Sequence, residues 1–293
     1  MIKTILTHLT GTDCDQSVLA ASHRIARFRS GHMACVRLIP DSATLIAQAA
    51  QVDMGTWMVL SDSVTAIEQE ARERTDRARR ELTEFCKSEK VSIVDAPPGP
   101  DAVSAAWIER IGDEFDEITA LARFYDLLVV AGGPERPGRL PDEALGSIII
   151  GSGRPVLLAP QTPRTGPVKT IAITWKDTAE AARAIGAAMP LLAEAQRIEV
   201  LSANEDDQKA DQCLDRSEGV VRNLRWHGLN AHGHPVIPAG RTIPDAILES
   251  ARSFEADLLV MGGYGHSRMR EFVFGGFTRH ILKGTDLPVF VFH

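Results

Sequence analysis

The 293-residue sequence contains no run of about 18 apolar residues, so no segment is long enough to cross a bilayer as a helix. Its first ten residues lack a long apolar stretch and a small-residue cleavage site, so no secretory signal is expected. Cysteine is scarce: Cys14, Cys35, Cys86 and Cys213 are scattered and form no CxxC pair, which argues for reduced thiols. By elimination, a cytoplasmic location is expected. An excess of positive charge is also missing, with 32 Lys and Arg against 39 Asp and Glu and a net charge of −7. Nucleic acid is therefore excluded as the main partner, because neutralising a phosphate backbone takes clustered Lys and Arg. A small nucleotide, which a few backbone N–H groups can hold, is not excluded. His227, His232 and His234 cluster, but no carboxylate or cysteine joins them at ligand spacing, so no metal site is expected. Ser267 follows His266 directly, but no nucleophile-elbow motif surrounds the pair, which argues against a Ser/His hydrolase.

What the sequence does have is an internal repeat. Ile2-Lys3-Thr4-Ile5 recurs as Val168-Lys169-Thr170-Ile171. Tyr125-Asp126-Leu127-Leu128-Val129-Val130 recurs as Ala256-Asp257-Leu258-Leu259-Val260-Met261, and Arg154-Pro155-Val156-Leu157-Leu158 as Leu287-Pro288-Val289-Phe290-Val291. The landmarks keep their order in each half. A Pro- and Gly-containing stretch, residues 161–167, separates them and reads as a linker. The expected division is a first domain at 1–160 and a second at 168–293, each long enough to bury a core.

Apolar runs alternate with helical patterns in both halves. The first reads as strand 2–9, helix 14–29, strand 33–39, helix 61–88, strand 105–110, a helix from about Asp113, strand 126–131, a last helix and strand 155–159. On the 61–88 helix, Val64, Ile67, Ala71, Ala78, Leu82 and Phe85 share one face, while Glu68/Arg72 and Glu70/Arg74 are i,i+4 pairs. The second half reads as strand 168–174, helix 178–194, strand 197–203, helix 208–226, strand 230–236, helix 242–254, strand 257–262, helix 269–283 and strand 288–292. Such alternation predicts an α/β fold: two tandem doubly wound, Rossmann-like domains, each with a five-stranded parallel sheet and helices on both faces. Ligands in such folds bind at the carboxyl ends of the strands, where the strand order reverses. Residues 41–60, rich in Ala, Met and Val with Trp57, are an extra stretch of the first half. They read as a surface hairpin or lid, or as a cover for a pocket or the domain interface.

The segment after the fourth strand of the second half runs Met261-Gly262-Gly263-Tyr264-Gly265-His266-Ser267-Arg268 and continues to Gly275-Gly276-Phe277-Thr278. Glycines let backbone approach a ligand closely, and successive N–H groups ahead of a helix form a nest for anions. A glycine-rich turn alone would be equally consistent with a tight β-to-α connection. The spacing Gly262-x2-Gly265-x9-Gly275, however, resembles the nucleotide loop of the universal stress protein (UspA) family. The surrounding Gly-Tyr-Gly-His-Ser-Arg and Gly-Gly-Phe-Thr-Arg-His are also similar to family sequences. The resemblance covers nearly the whole chain as a tandem pair and implies the adenine nucleotide alpha hydrolase-like form of the Rossmann-like fold.

Members with this loop commonly bind ATP. The resemblance would place an adenine nucleotide, with Mg²⁺ as its companion, along Met261, Gly262, Gly265, His266, Gly275, Gly276, Phe277 and Thr278. Adenine and ribose would lie near Thr174, Trp175, Lys176 and Ala203. It also implies that strands 155–159 and 288–292 pair antiparallel within the chain as a pseudo-dimer, and it allows two chains to associate as a homodimer. Three departures stand out. Lys176 occupies the position of the family's usual Asp, with Thr10 in the same place in the first half, and a Lys cannot accept a hydrogen bond. Gly276 stands where a Ser or Thr normally follows the third glycine. In the first half, Ala131 and Pro134 replace the first two glycines, and Asp142 and Glu143 replace Gly275 and Gly276. Carboxylates would repel phosphates by about 1 kcal/mol per close pair even in water. The first half is therefore expected not to bind ATP by this route.

Three functions follow as expectations. The first is a non-catalytic stress-response or signalling protein that senses ATP through its second half. The others are a nucleotide-independent adaptor or scaffold, and a slow ATPase or phosphotransferase using Asp177 or His266 as base. Of the enzyme and non-enzyme readings, the non-catalytic one is preferred.

Overall fold

A computed structural model describes residues 1–41, 54–96, 102–203, 210–263, 276–284 and 286–293. The first half contains β1 (Thr4–Leu9), α1 (Cys14–Ala26), β2 (His32–Ile39), α2 (Met54–Glu89), β3 (Ser92–Ile93), β4 (Ser104–Ile111), α3 (Glu114–Ala122), β5 (Leu127–Ala131), α4 (Asp142–Ser152) and β6 (Val156–Ala159). The second contains β7 (Thr170–Thr174), α5 (Ala179–Leu192), β8 (Arg197–Ala203), α6 (Ala210–Trp226), β9 (Ala231–Val236), α7 (Ile243–Ser253), β10 (Leu258–Gly262), α8 (Gly276–Gly284) and β11 (Val289–Phe292). The strands lie in one sheet, in the order β3-β4-β2-β1-β5-β6-β11-β10-β7-β8-β9. All pairings are parallel except one: β6 and β11 run antiparallel, with Leu157 opposite Phe290 and Leu158 opposite Val289. The chain is an α/β protein with a mostly parallel sheet flanked by helices.

Three sequence expectations need correction. The first half contributes six strands rather than five, because Ser92–Ile93 pairs parallel with the start of β4. Two residues carry no readable period. The long helix begins at Met54 rather than residue 61, so the end of the 41–60 stretch is helix and not hairpin, while 42–53 lie outside the described residues. Ile67, expected in the core, is exposed, although Ala71, Ala78 and Leu82 are buried as expected.

Each face of the sheet carries one core, and both cores run through the β6–β11 seam. Leu157 and Phe290 belong to one, and Val156, Leu158, Val289 and Val291 to the other. Pro155 and Pro288 sit just before these strands. They have no N–H to leave unpaired, and their carbonyls accept from Leu128 and Leu259 at 3.1 and 3.0 Å.

The repeated Lys-Thr and Asp landmarks have a structural reason. Asp126 Oδ2 accepts the N–H groups of Lys3 and Thr4 at 2.8 and 2.9 Å. Asp257 Oδ2 accepts those of Lys169 and Thr170 at 2.8 and 3.0 Å. Each carboxylate thus satisfies the entry to the first strand of its half. The second copy carries a further load. Arg24, buried on α1, donates to Asp257 Oδ1 at 2.9 Å, to the Asp257 carbonyl at 3.0 Å, and to the carbonyls of Gly166 and Pro167 at 2.8 Å. This guanidinium ties the first half to the linker and to the second half. Among the described residues, no helix is long and apolar enough to cross a membrane.

Candidate functional site

The strand order reverses between β1 and β5 in the first half and between β7 and β10 in the second. These are the two places where the fold favours a ligand. Their fillings differ.

In the first half, the chain itself occupies the reversal point. Asp15, in the first turn of α1 and 1% exposed, takes the Thr10 N–H on Oδ1 and the Gly11 N–H on Oδ2, each at 2.9 Å. These are the backbone donors an anion would need. Burial raises the Asp15 pKa, partly offset by the Thr10 and Gly11 N–H groups. Gly11 has φ +71°, and a Cβ there would lie 2.1 Å from the Arg74 carbonyl, so the backbone of α2 passes directly over this turn. From the other side, a Cβ on Gly138 would lie 2.1 Å from Thr12 Oγ1 and 2.5 Å from Thr10 Oγ1. Arg136 Nε donates to Cys14 Sγ at 3.0 Å, and the thiol donates to the Pro137 carbonyl at 3.2 Å. The loop after β5 is thus sealed onto the end of β1. Beside this turn, His8 on β1 meets Glu114 at 3.0 Å.

In the second half, the end of β7 leads through Thr174, Trp175 and Lys176 into α5. Thr178 caps that helix by accepting the Ala181 N–H at 3.4 Å. Gly262 closes β10 against the same turn: a Cβ on it would lie 2.5 Å from the Ala181 nitrogen. Only glycine lets the strand end approach the helix so closely. The Trp175 backbone N–H pairs with the Leu201 carbonyl at 2.8 Å. Its indole Nε1 is shielded and, among the described residues, has no hydrogen-bond partner. Lys176 and Asp177 are exposed, Ala203 and Thr174 half-buried, and Met261 fully buried. Gly276 opens α8 exposed, Phe277 is half-buried against the core, and Thr278 is buried in the first turn. The structure thus brings Trp175, the first turn of α5 and Gly262 to one strand end. Gly265, His266 and Gly275 lie outside the described residues, as does the 269–275 part of the expected helix 269–283.

Sequence reading missed two features here. Glu180, buried in the first turn of α5 and 3.2 Å from Arg183, also has its backbone carbonyl carbon 2.7 Å from where a Cβ on Gly262 would lie. Asp142, expected only to repel phosphate in its own half, accepts instead from three cations: Arg139 at 2.6 Å, Arg279 at 2.9 Å and Lys283 at 3.2 Å. The last two belong to α8 of the other half. Burial works against the Asp142 charge, but these donors outweigh it and lower the pKa. Reading the histidines also needs a correction. A carboxylate does meet them, Glu199 Oε2 lying 2.6 Å from His234 Nε2, across the β8–β9 pairing and out of reach of linear spacing.

Residues 177–293 match the family model described as Universal stress protein family. The second half of this chain is a universal stress protein domain. A curated relative, Universal stress protein Slr1230 of Synechocystis sp. strain PCC 6803, is 42% identical over 48 residues. That stretch spans 16% of this chain and 17% of the relative's length. The chain also resembles the crystal structure of a universal stress protein from Archaeoglobus fulgidus DSM 4304, with a TM-score of 0.67 at 14% identity. That likeness covers 99% of this chain and 97% of the other. A functionally unknown protein, PA1789 from Pseudomonas aeruginosa PAO1, gives 0.58 at 15% identity over 99% and 92% of the two chains. At such identities the likeness concerns the fold alone. It extends over both halves, whereas the family model covers the universal stress protein domain only.

Proposed function

We propose that this is a two-domain, cytoplasmic stress-response protein without catalytic activity, in which the domain at 168–293 senses ATP and the domain at 1–160 does not. The observation that carries the reading is the pair formed by Gly262 and Trp175 at the β7–β10 reversal point. There a strand end without side chain meets a helix N-terminus, and a shielded indole N–H lacks an acceptor among the described residues. A buried donor of this kind calls for a partner, and a bound nucleotide would bring acceptors. The helix N-termini of α5 and α8 would favour its phosphates. Backbone N–H groups near Gly262 and Gly276 would hold them, together with the sequence positions Gly265 and Gly275, and Mg²⁺ would offset their charge. The fit is partial. Glu180 stands at the same turn, and Lys176 replaces the acceptor that ribose or adenine would use.

Calorimetry with ATP, and mass spectrometry of nucleotide released from purified protein, test this reading. Binding at micromolar to millimolar ATP that is lost on Gly262→Ala is expected. No bound nucleotide and no heat at millimolar ATP would discard it. A nucleotide-independent adaptor is the second reading, favoured by the exposed Lys176. An unchanged melting temperature on adding ATP would support it, since a ligand of the folded state must raise stability. Phosphate release above buffer rate, with Mg²⁺ present, would instead indicate an ATPase or phosphotransferase.

A further inference from the structure

We infer that Asp142 of the first domain is a positioning residue for the site of the second: its carboxylate fixes α8, so the sensing half is incomplete without the half that does not sense. The inference rests on the nucleotide reading above and adds to it a role for the other domain.

Two independent contacts bring α4 of the first half to the site. At the near end, a Cβ on Gly263 would lie 2.8 Å from Val291 Cγ2 and 3.9 Å from Ile149 Cγ2, so α4 stands beside the residue that follows β10. At the far end, Arg279 and Lys283, one turn apart on α8, both reach Asp142 Oδ2, the first residue of α4. A single helix of the first half therefore touches the chain on either side of the 264–275 segment. Asp142 is suited to the task. Its side chain is 12% exposed, so the pairing is only weakly screened. Arg139, 3% exposed, takes its other oxygen and fixes the carboxylate from its own domain. The N-terminus of α4 further favours a negative charge there.

The anchoring matters because α8 has few other ties. It spans nine residues and starts at Gly276, with Ile281 as its fully buried anchor. Among the described residues, it also meets the second half through His280, whose Nε2 lies 2.6 Å from Asp245 Oδ1. A helix this short is marginal without tertiary restraint. Freed from Asp142, its N-terminus would lose its fixed orientation toward a phosphate, and preorganisation is what a short helix can contribute to binding.

The test uses the full chain and reads two quantities. Hydrogen exchange of the 276–284 amides, without nucleotide, should quicken several-fold in Asp142→Asn. ATP affinity measured by calorimetry should fall about fivefold, while Asp142→Glu, which keeps the charge, stays near the wild type in both. Arg279→Ala should weaken ATP in the same direction. Unchanged exchange in α8 overturns the inference. So does unchanged or tighter ATP binding, since tighter binding would mean that Asp142 competes with phosphate for the two cations. Absence of ATP binding by the wild type overturns the functional reading and the nucleotide part of this inference. The exchange measurement then still decides whether Asp142 holds α8.

Discussion

The two reversal points of the sheet are built from the same strands in the same order, yet one is filled by the protein and the other is not closed in that way by the described residues. At the end of β1, a carboxylate already occupies the backbone donors, and α2 and the loop after β5 cover them. At the end of β7, Trp175, the counterpart of Leu9, gives its backbone N–H to the Leu201 carbonyl, and among the described residues its indole has no hydrogen-bond partner. A duplicated fold thus keeps its architecture while one copy satisfies the backbone donors of its reversal point with its own side chain. An internal Asp15 can do what an external anion would do, at the cost of ionising a buried acid.

The largest effect expected from breaking this comparison is at Gly11. An alanine there needs φ +71° and would drive its Cβ into the Arg74 carbonyl. Gly11→Ala should cost about 4 kcal/mol, by strain and by pushing α2 off the turn. Urea denaturation measures it. A loss under about 1 kcal/mol would mean that α2 does not seal the first site.

Next comes Arg24. Arg24→Ala strips four hydrogen bonds and leaves Asp257 Oδ1 without its cation, so a loss of about 3 kcal/mol is expected. Because this clamp joins α1 of the first half to the linker and the second half, the variant should also separate the unfolding of the two halves. A single cooperative transition, coincident by fluorescence and circular dichroism, would show that the β6–β11 seam and the Asp142 ion pairs hold them together without Arg24.

Much of this organisation was legible in the sequence, because the repeat carries physical duties. The Asp126/Lys3 and Asp257/Lys169 pairs recur because each half must cap its first strand. The prolines before β6 and β11 marked strands able to meet at the seam. What was not legible depends on contacts remote in sequence. Asp142 looked like a lost glycine, since its three cations lie in its own loop and in α8, up to 141 residues away (Asp142 to Lys283). Glu199 meets His234 only through strand register. Asp15 gave no sign of its capping role, because it ties back to Thr10 and Gly11 only once the turn is folded.

Smaller still is the expected effect at Lys176. On the proposed ATP reading, replacing it by Asp gives the second site a hydrogen-bond acceptor that a lysine cannot supply. Lys176→Asp should tighten ATP by about five- to tenfold, or roughly 1 kcal/mol. Weaker binding would show instead that the exposed lysine attracts phosphate. The same change at Thr10 in the first half should confer no binding, because Asp15 still holds the backbone donors there.

The smallest effect distinguishes a carboxylate that serves as an internal ligand from one that caps a strand, and it does so by the sign of a pH dependence. Asp15 has its pKa raised above the ordinary 3.8, chiefly by burial. Its contribution to stability is fully present below 3.8 and is lost as pH rises through the folded value. Asp126 also suffers burial, but the Lys3 and Thr4 N–H groups and the Thr4 hydroxyl outweigh it and hold its pKa below 3.8. Its contribution is present above 3.8 and is lost as pH falls through the folded value. Urea stabilities of Asp15→Asn and Asp126→Asn, each subtracted from the wild type between pH 3 and 7, should therefore slope in opposite directions. For Asp15 the difference grows as pH falls toward about 4. For Asp126 it is level there and shrinks only at more acid pH. Parallel slopes would mean that Asp15 is a strand cap like Asp126, and that the first reversal point is not closed by a charge held at the expense of its solvation.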